Sequence, residues 1–216
     1  MWYSFLQFWT RIFVLVFFRI RVFGRENVPA SGPVILAANH QSFVDPPLVG
    51  AGLNRQVHYM ARNTLFERFF LFAWLIRSLN AYPVDRGRGD IGAVRETLKR
   101  LKRGAAIVVF PEATRTRTGH IGSFKSGIFL IAAKAGVPVV PTVIEGAFES
   151  WPRTRKLPSP YRVFVAFGEA LNAGDYGANA QEMAAACRKR LIELQRETRA
   201  RRDGHYADKR RKGAYE

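Results

Sequence analysis

Residues 91–110, IGAVRETLKRLKRGAAIVVF, contain a helix followed directly by a buried strand. In the first half the apolar residues recur at spacings of three and four, and most of the other positions are charged, which is typical of an amphipathic helix. Gly104 is a suitable point for this helix to end. Residues 105–110 are all apolar, which is typical of a strand that is buried on both faces. The stretch therefore predicts a helix that packs on a sheet.

The same alternation continues on both sides of this stretch. Further strands are predicted at 33–38, 57–61, 80–84, 137–144 and 161–167, and further helices at 124–135 and 181–202. Strands that alternate with helices are typical of α/β proteins with a parallel sheet. We predict an α/β domain at 26–202 with a largely parallel central sheet flanked by helices. A hydrophobic helical segment at 1–25 precedes it, and a polar basic tail at 203–216 follows it.

The composition indicates an anionic partner. The 216 residues include 34 Lys and Arg but only 17 Asp and Glu, so the formal net charge is +17. Such a charge suits a nucleic acid, an anionic membrane surface or a phosphorylated substrate. A single cysteine, Cys187, excludes an internal disulfide framework and a multi-cysteine metal site. The four histidines include no pair spaced as HExxH, so no metal site is predicted.

Residues 1–25 are rich in aromatic and aliphatic side chains and contain no acidic residue. Arg11 interrupts the apolar run and no small-residue cleavage site follows, which excludes a secretory signal peptide. Ser4, Gln7 and Arg11 recur at helical spacing and form a thin polar stripe. The pattern favours a helix lying on an anionic membrane surface. A tilted span with Arg11 reaching the interface and a helix packed in the core are the alternatives, and the apolar stretch at 65–77 offers the same choice.

A polar loop, NHQSFVD at 39–45, follows the predicted strand at 33–38. Functional groups gather at the carboxyl ends of strands in open α/β sheets, and His40 lies at such an end. A histidine can take a proton from a hydroxyl near neutral pH, and Asp45 would orient it through the second ring nitrogen. The alternative is structural, because an aspartate before Pro46 is a good helix N-cap.

A second polar loop follows the strand at 105–110. Residues 110–119, FPEATRTRTG, combine Glu112 with two arginines and several hydroxyl groups, and Lys125 begins the next predicted helix. Arginine binds phosphate through paired hydrogen bonds, so this loop is a candidate anion site that Arg86, after the third strand, would join. The alternative is a solvated basic loop in a chain that is basic throughout.

Four blocks in these segments resemble the motifs of the glycerolipid acyltransferases. NHQSFVDP at 39–46 resembles their NHxSxxDP form of the HX4D motif, and FPEATR at 110–115 resembles their FPEGTR block. YPVDR at 82–86 resembles the arginine-ended block between them, and VPVVP at 137–141 resembles the last one. All four occur in the family's order over residues 28–171. The resemblance is greatest to the 1-acylglycerol-3-phosphate acyltransferases, which act on lysophosphatidic acid.

The resemblance implies that an acyl group passes from acyl-CoA or acyl-carrier protein to the free hydroxyl of lysophosphatidic acid, giving phosphatidic acid. It implies that His40 is the general base and that Asp45 orients it. The acceptor would be bound by further residues of the blocks and by one lysine, namely Arg86 at the phosphate, Glu112, Thr114, Arg115 and Lys125.

The same resemblance sets the expected partners. They are an anionic membrane lipid and the acyl donor, at the cytoplasmic face of the cell membrane. No cofactor is implied, because a thioester is already activated for attack by a hydroxyl. Glycerol-3-phosphate, other lysophospholipids and lyso-ornithine lipid remain alternative acceptors.

One residue departs from the family pattern within the second block. Ala113 stands where the family has glycine. If the backbone at this position needs a positive φ, the loop is strained or differently shaped, since only glycine adopts that region without cost.

Two interpretations belong to other functional classes. GRGDIG at 87–92 matches the dinucleotide pattern G-x-G-x-x-G through Gly87, Gly89 and Gly92, which would indicate a nicotinamide enzyme with Glu112 as its ribose-binding acid. The proline in the preceding strand and the charges in the turn argue against it. The basic segment at 188–212 suits a nucleic acid, but the chain contains no recognised nucleic-acid-binding module, so no nucleic-acid partner is predicted.

Overall fold

A computed structural model describes residues 2–67, 70–85, 90–177 and 179–212. In this part of the chain seven strands form one sheet: β1 (Arg21–Phe23), β2 (Val34–Ala38), β3 (Val57–Arg62), β4 (Ala81–Val84), β5 (Ala106–Val109), β6 (Val139–Glu145) and β7 (Phe164–Phe167). The α-helices are α1 (Trp2–Phe18), α2 (Asp45–Ala51), α3 (Thr64–Glu67), α4 (Phe70–Ser78), α5 (Ile91–Lys102), α6 (Gly127–Ala135), α7 (Ala147–Ser150) and α8 (Ala180–Lys212). Short 3₁₀ helices lie at Arg25–Asn27 and Ala173–Tyr176.

The strands lie in the order β1-β7-β6-β2-β5-β3-β4. Every neighbouring pair is parallel except β6 and β7, which are antiparallel. The predicted α/β fold, with a largely parallel central sheet flanked by helices, is confirmed.

The central strand β2 shows how the helices are divided between the two faces of the sheet. Its five residues are fully buried, and alternate side chains point to opposite faces. Val34, Leu36 and Ala38 pack in one core with α1 and α2. Ile35 and Ala37 pack in another core with α5, α6 and α8. The continuous apolar run that predicted this strand therefore reflects burial on both faces.

Two elements differ from the prediction. Residues 21–23, within the segment expected to be helical, form the edge strand β1, which pairs with β7 through Val22 and Val165. Three residues are too few to show an alternation of apolar and polar positions, so sequence periodicity cannot reveal such a strand. Helix α8 continues to Lys212, ten residues into the segment predicted as a tail.

The order of the strands creates the crevice that holds the candidate site. Strands β2 and β5 are neighbours and run parallel in register, from Val34 beside Ala106 to Ala37 beside Val109. Their following helices lie on opposite faces of the sheet, α2 on one and α6 on the other. Loops that leave neighbouring parallel strands toward opposite faces open a crevice at the carboxyl edge of the sheet, where ligands bind in such folds.

Candidate active site

The loop after β2 places His40 against Asp45. Nδ1 of His40 lies 2.8 Å from Oδ2 of Asp45, whose side chain is completely buried. The same carboxylate oxygen accepts hydrogen bonds from the backbone N–H groups of Gln41, at 2.6 Å, and Ser42, at 2.7 Å. The other oxygen of Asp45 is buried and has no partner among the described residues. Three donors on one oxygen fix the carboxylate at the back of the imidazole.

The structure shows whether Asp45 caps helix α2 or belongs to the loop around His40. Helix α2 begins at Asp45, its N-cap residue is Val44, and no side chain caps it. The Asp45 carboxylate instead bonds to Gln41 and Ser42, which precede the helix. Its contacts therefore close the loop around His40, and the N-cap interpretation is wrong.

Several contacts fix the position of the His40 ring and backbone. The ring stacks on Phe110 with 4.1 Å between centroids, and 11% of the side chain is exposed. The His40 N–H donates to Glu112 Oε1 at 2.9 Å, and the His40 carbonyl accepts from the Thr116 N–H at 2.8 Å. No described residue bonds to Nε2 of His40. The imidazole thus has one nitrogen bound to a carboxylate and one available to a substrate.

Glu112 connects the two loops of the site. Its Oε1 accepts the His40 N–H, and its Oε2 accepts the Gly122 N–H at 2.8 Å. Burial raises the pKa of the Glu112 carboxyl, and these two backbone hydrogen bonds act in the opposite direction. The geometry therefore gives this residue a positioning role, because it holds the loop of His40 to the loop at 110–122.

The other predicted acceptor-binding residues lie on the same loop or beside it. Arg115 is half-buried, and its guanidinium makes no hydrogen bond or ion pair within the described ranges. Thr114 and Lys125 are exposed, and the Lys125 N–H donates to the carbonyl of Pro111 at 3.0 Å. Arg86 lies outside the described residues. The structure thus brings Arg115 and Glu112 to the loop that contacts His40.

Asn39 is a site-forming residue to which the sequence analysis assigned no role. Its side-chain amide donates to the carbonyl of Ile144 at 2.9 Å, and its Oδ1 accepts the Ile144 N–H at 2.7 Å. The Asn39 side chain thus exchanges two hydrogen bonds with the backbone of Ile144. These bonds extend the pairing of β2 with β6 by one residue. The available signal was an asparagine directly after a fully apolar strand, because a buried amide at such a place needs hydrogen-bond partners.

Glu145 and helix α8 support the loop at 110–122 from the other side. Glu145 is 1% exposed, and its carboxylate accepts from Arg199 Nε and Arg202 Nη1, each at 2.9 Å. Arg199 also donates to the carbonyl of Gly119 at 3.1 Å, and Arg188 donates to the carbonyl of Gly122 at 2.7 Å. Local sequence gave no signal for these contacts, since the partners are 54 or more residues apart.

Ala113 has a φ of 58°, which lies in the left-handed region. The backbone at this position does adopt a positive φ, and alanine stands there in place of the family's glycine. The expected strain is therefore present. An L-residue pays about 1–2 kcal/mol in this region because its Cβ crowds the carbonyl. The loop keeps the glycine-like shape and carries the strain.

We expect Ala113→Gly to stabilise the protein by about 0.5–1 kcal/mol, because the removed strain exceeds the extra chain entropy that glycine loses on folding. The corresponding rise in the unfolding temperature is about 2–4 °C per kcal/mol for a chain of this size. Thermal unfolding of Ala185→Gly is the matched control. Ala185 is exposed within α8, where glycine should cost about 1 kcal/mol. Equal destabilisation by both changes would contradict the strain at Ala113.

Metal binding, a thiol nucleophile and dinucleotide binding are the three alternatives to chemistry at His40. The described residues contain no group of three or more His, Cys, Asp or Glu side chains placed to hold a metal. Cys187 is buried, and burial raises the pKa of its thiol to about 12, so it is not an activated nucleophile. Gly92 lies in the first turn of α5, whereas Gly87 and Gly89 are outside the described residues. Glu112, the ribose-binding acid of that pattern, accepts a hydrogen bond from the backbone N–H of His40.

Comparison with known proteins gives consistent matches. The family model named Acyltransferase matches residues 19–145. The 1-acyl-sn-glycerol-3-phosphate acyltransferase of Bacillus subtilis is 30% identical over 158 residues, which are 73% of this chain and 76% of that protein. A chloroplast 1-acyl-sn-glycerol-3-phosphate acyltransferase of Arabidopsis thaliana is 32% identical over 149 residues, 68% of this chain. The match spans only 41% of that chloroplast protein.

A solved structure matches the fold over most of the chain. The crystal structure of the 1-acyl-sn-glycerophosphate (LPA) acyltransferase from Thermotoga maritima has a TM-score of 0.74 and 29% sequence identity. The superposition covers 89% of this chain and 81% of that one.

Proposed function

This chain belongs to the acyltransferase family, and we propose that it transfers an acyl group from an acyl thioester to the free hydroxyl of lysophosphatidic acid, giving phosphatidic acid. The carrying observation is the His40 imidazole, bonded to the buried carboxylate of Asp45 at 2.8 Å and open at Nε2. The acceptor is proposed because the relatives and the solved structure described above are acyltransferases named for this acceptor.

His40 acts as the general base in this proposal. Asp45 accepts a hydrogen bond from Nδ1–H, which leaves the lone pair of Nε2 to take the proton of the acceptor hydroxyl. The hydroxyl oxygen then forms a bond to the thioester carbonyl carbon. The carbon–sulfur bond breaks as the tetrahedral intermediate collapses, and the thiolate receives the proton from the imidazolium. The negative charge of Asp45 stabilises the imidazolium between these two steps.

The phosphate of the acceptor binds to the basic side chains beside this pair. Arg115 supports this role because it is half-buried and has no counter-ion among the described residues. A guanidinium fits a phosphate with two parallel hydrogen bonds. Arg86 and Lys125 are proposed to add charge, and acceptor contacts of Glu112 and Thr114 stay predictions. The acyl donor, acyl-CoA or acyl-carrier protein, is a substrate, and no cofactor takes part.

The experiment that tests the reaction is thiol release from a long-chain acyl-CoA with a panel of acceptors. The panel contains lysophosphatidic acid, glycerol-3-phosphate, lysophosphatidylcholine and lyso-ornithine lipid, and acyl-carrier protein replaces CoA in a parallel series. We expect release that requires lysophosphatidic acid and forms phosphatidic acid. Release with another acceptor would keep the chemistry and overturn the assignment of the substrate. No release with any pair would overturn both.

We further propose that α1 and α4 rest on an anionic membrane at the cytoplasmic face, where the proposed donors are found. Ten large apolar side chains of these helices are about half exposed or more: Trp2, Phe5, Phe8, Trp9, Phe13, Leu15, Val16, Phe70, Leu71 and Trp74. The ring centroids of Trp2 and Trp74 are 5.7 Å apart, so the two helices present one continuous apolar surface. Exposed apolar surfaces of this extent mark interaction sites.

The orientation of α1 supports the same proposal. Arg11 points to the protein, where it donates to the carbonyl of Leu53 at 2.8 Å and to Asn54 Oδ1 at 2.6 Å. Gln7 lies over the same turn, with its amide 3.5 Å from the carbonyl of Gly50. Gln7 and Arg11 of the polar stripe are therefore turned inward, while Ser4 is exposed. Most of the large apolar residues face outward, which is the reverse of a helix adapted to water. None of the helices in the described ranges has the length and apolarity needed to cross a membrane.

We expect Phe8→Ser combined with Val16→Ser to weaken binding to phosphatidylglycerol vesicles at least about tenfold, because each side chain loses apolar area that the membrane would bury. Both residues are exposed, at 57% and 72%, so the fold should persist. The matched control is Ile91→Ser with Leu130→Ser, which changes exposed apolar residues on α5 and α6 at the other face. Equal flotation of both variants with the wild type would exclude this surface as the membrane contact.

A further inference from the structure

A cavity of about 520 Å³ lies at the amino edge of the sheet, opposite the edge that holds His40. It is lined by residues that come just before or at the start of four neighbouring strands, including Gly32 before β2, His58 in β3, Asn80 before β4 and Gly104 before β5. A strand of five residues spans about 16 Å, so this cavity is separate from the candidate active site.

The cavity is strongly cationic. Arg55, Arg100 and Arg103 line it. The one carboxylate among its described lining residues belongs to Glu96, which already accepts from Arg100 Nε at 2.7 Å. Arg55 donates to three backbone carbonyls, of which that of Gly32 is 2.7 Å away, and it has no carboxylate partner among the described residues. Burial lowers the pKa of the Arg55 guanidinium, because its charge is removed from water without a compensating anion.

Two neutral side chains add hydrogen-bond donors to the same wall. Arg100 Nη1 donates to His58 Nδ1 at 2.6 Å, so His58 carries its proton on Nε2. Burial and the charge of Arg100 lower the pKa of His58 to about 4, which keeps the ring neutral. The side-chain nitrogen of Asn80 is buried and has no hydrogen-bond partner among the described residues. A buried amide left unpaired is destabilising, so a ligand that accepts its hydrogen bond would remove that penalty.

We propose that this cavity binds a phosphate group, held by Arg103, Arg100, the amide of Asn80 and Nε2–H of His58. A phosphate supplies several acceptor oxygens and the negative charge that the three arginines lack. Neither α1 nor α4 contributes a residue to the cavity, and α5, which provides Glu96, Arg100 and Arg103, packs on the face of the sheet opposite to α1. The side-chain amide of Gln7, on α1, lies 3.4 Å from the carbonyl of Arg55. A water-soluble phosphate compound and a lipid headgroup therefore share this chemistry, and the experiment distinguishes them.

Asn80→Asp tests the proposal directly. Asn80 has a φ of 63°, which aspartate tolerates nearly as well as asparagine, so the change replaces one unpaired donor by a carboxylate of the same shape. Inorganic phosphate, at ionic strength matched with sodium chloride, should raise the unfolding temperature of the wild type. The variant should unfold at a higher temperature without phosphate, because its carboxylate takes the place of the anion, and phosphate should add nothing further.

A second pair of variants separates the cavity from general surface charge. Arg103→Gln should weaken phosphate binding, measured by calorimetry, roughly tenfold, because it removes a charged hydrogen-bond donor. Lys102→Gln removes the same charge from the neighbouring position of α5, outside the cavity, and should bind as the wild type does. Arg115→Gln removes the phosphate contact proposed at the active site, at the other edge of the sheet, and should keep the part of the response that Arg103→Gln weakens.

The outcomes decide the proposal and the source of the phosphate. The proposal would be overturned if both Asn80→Asp and Arg103→Gln responded to phosphate as the wild type does. It would also be overturned if Lys102→Gln weakened phosphate binding as much as Arg103→Gln does. If Asn80→Asp does not fold, Arg103→Gln decides alone, because that side chain is exposed. Flotation with phosphatidylglycerol vesicles in place of inorganic phosphate distinguishes the sources. If the cavity binds a lipid phosphate, these variants should change binding to the vesicles only.

Discussion

His40→Ala should lower kcat for acyl transfer by about 10²–10⁴-fold, the range that a positioned general base contributes. The loss should fall on kcat, because Nε2 takes the proton only as the hydroxyl attacks. The fold should persist, since the hydrogen bonds of His40 to Glu112 and Thr116 use its main chain and remain in the variant. The side chain gives up only its bond to Asp45 and its stacking on Phe110.

The control for this change is His120→Ala. His120 is exposed on the loop after β5, and the hydrogen bonds described for it use backbone atoms. Its loss should leave the rate of thiol release within about twofold of the wild type, as expected for a surface side chain that holds nothing in place. A normal kcat in His40→Ala, with phosphatidic acid still formed, would remove His40 from the mechanism.

Asp45→Asn should lower kcat by about 10²–10⁴-fold while leaving the loop folded. The amide oxygen of asparagine can still accept the N–H groups of Gln41 and Ser42, which Asp45 binds at 2.6 and 2.7 Å. The negative charge behind the imidazole is lost, so the imidazolium formed during the reaction is no longer stabilised. The measurement is single-turnover acyl transfer at saturating acceptor, together with thermal unfolding of the same sample.

Asp45→Ala separates the charge from the loop contacts. Alanine removes both the charge and the oxygen that accepts from Gln41 and Ser42, so this variant should lose stability as well as activity. If Asp45→Asn retained full activity while Asp45→Ala lost it, the carboxylate would serve only to close the loop. That result would also contradict the proton-transfer step proposed for His40.

The elements that the sequence predicted well are those with an unambiguous local pattern. Strands β2 and β5 are apolar throughout because both of their faces are covered by helices. Helix α5 shows regular amphipathic spacing and a capping aspartate, Asp90, whose side chain accepts from the Ala93 N–H. Strand β1 was missed because a three-residue edge strand has no pattern of its own. Its place in the sheet depends on β7, about 140 residues away.

The contacts of the candidate site also fall into two groups, those within one loop and those between distant parts of the chain. His40 and Asp45 lie within one loop of a few residues, so their pairing could be proposed from the sequence, and the structure excluded the alternative of a helix N-cap. Glu112 reaches the His40 backbone from 72 residues away, and Arg199 reaches Glu145 from 54 residues away. The inward turn of Arg11 on α1 depends on free carbonyls at the end of α2. The sequence could suggest that these residues matter, but it could not identify their partners.

By itself, the sequence determined the alternation of strands and helices, the order of the family's blocks, the presence of His40 and Asp45 in one loop and the excess of positive charge. Only the tertiary structure decided that Glu112 braces the His40 loop, that α1 presents its apolar side outward, and that Arg55, His58, Asn80 and Arg103 meet around one cavity. The physical reason is the range of the forces involved. Periodicity and turn chemistry act between residues a few positions apart, whereas the order of strands in a sheet results from packing both of its faces at once.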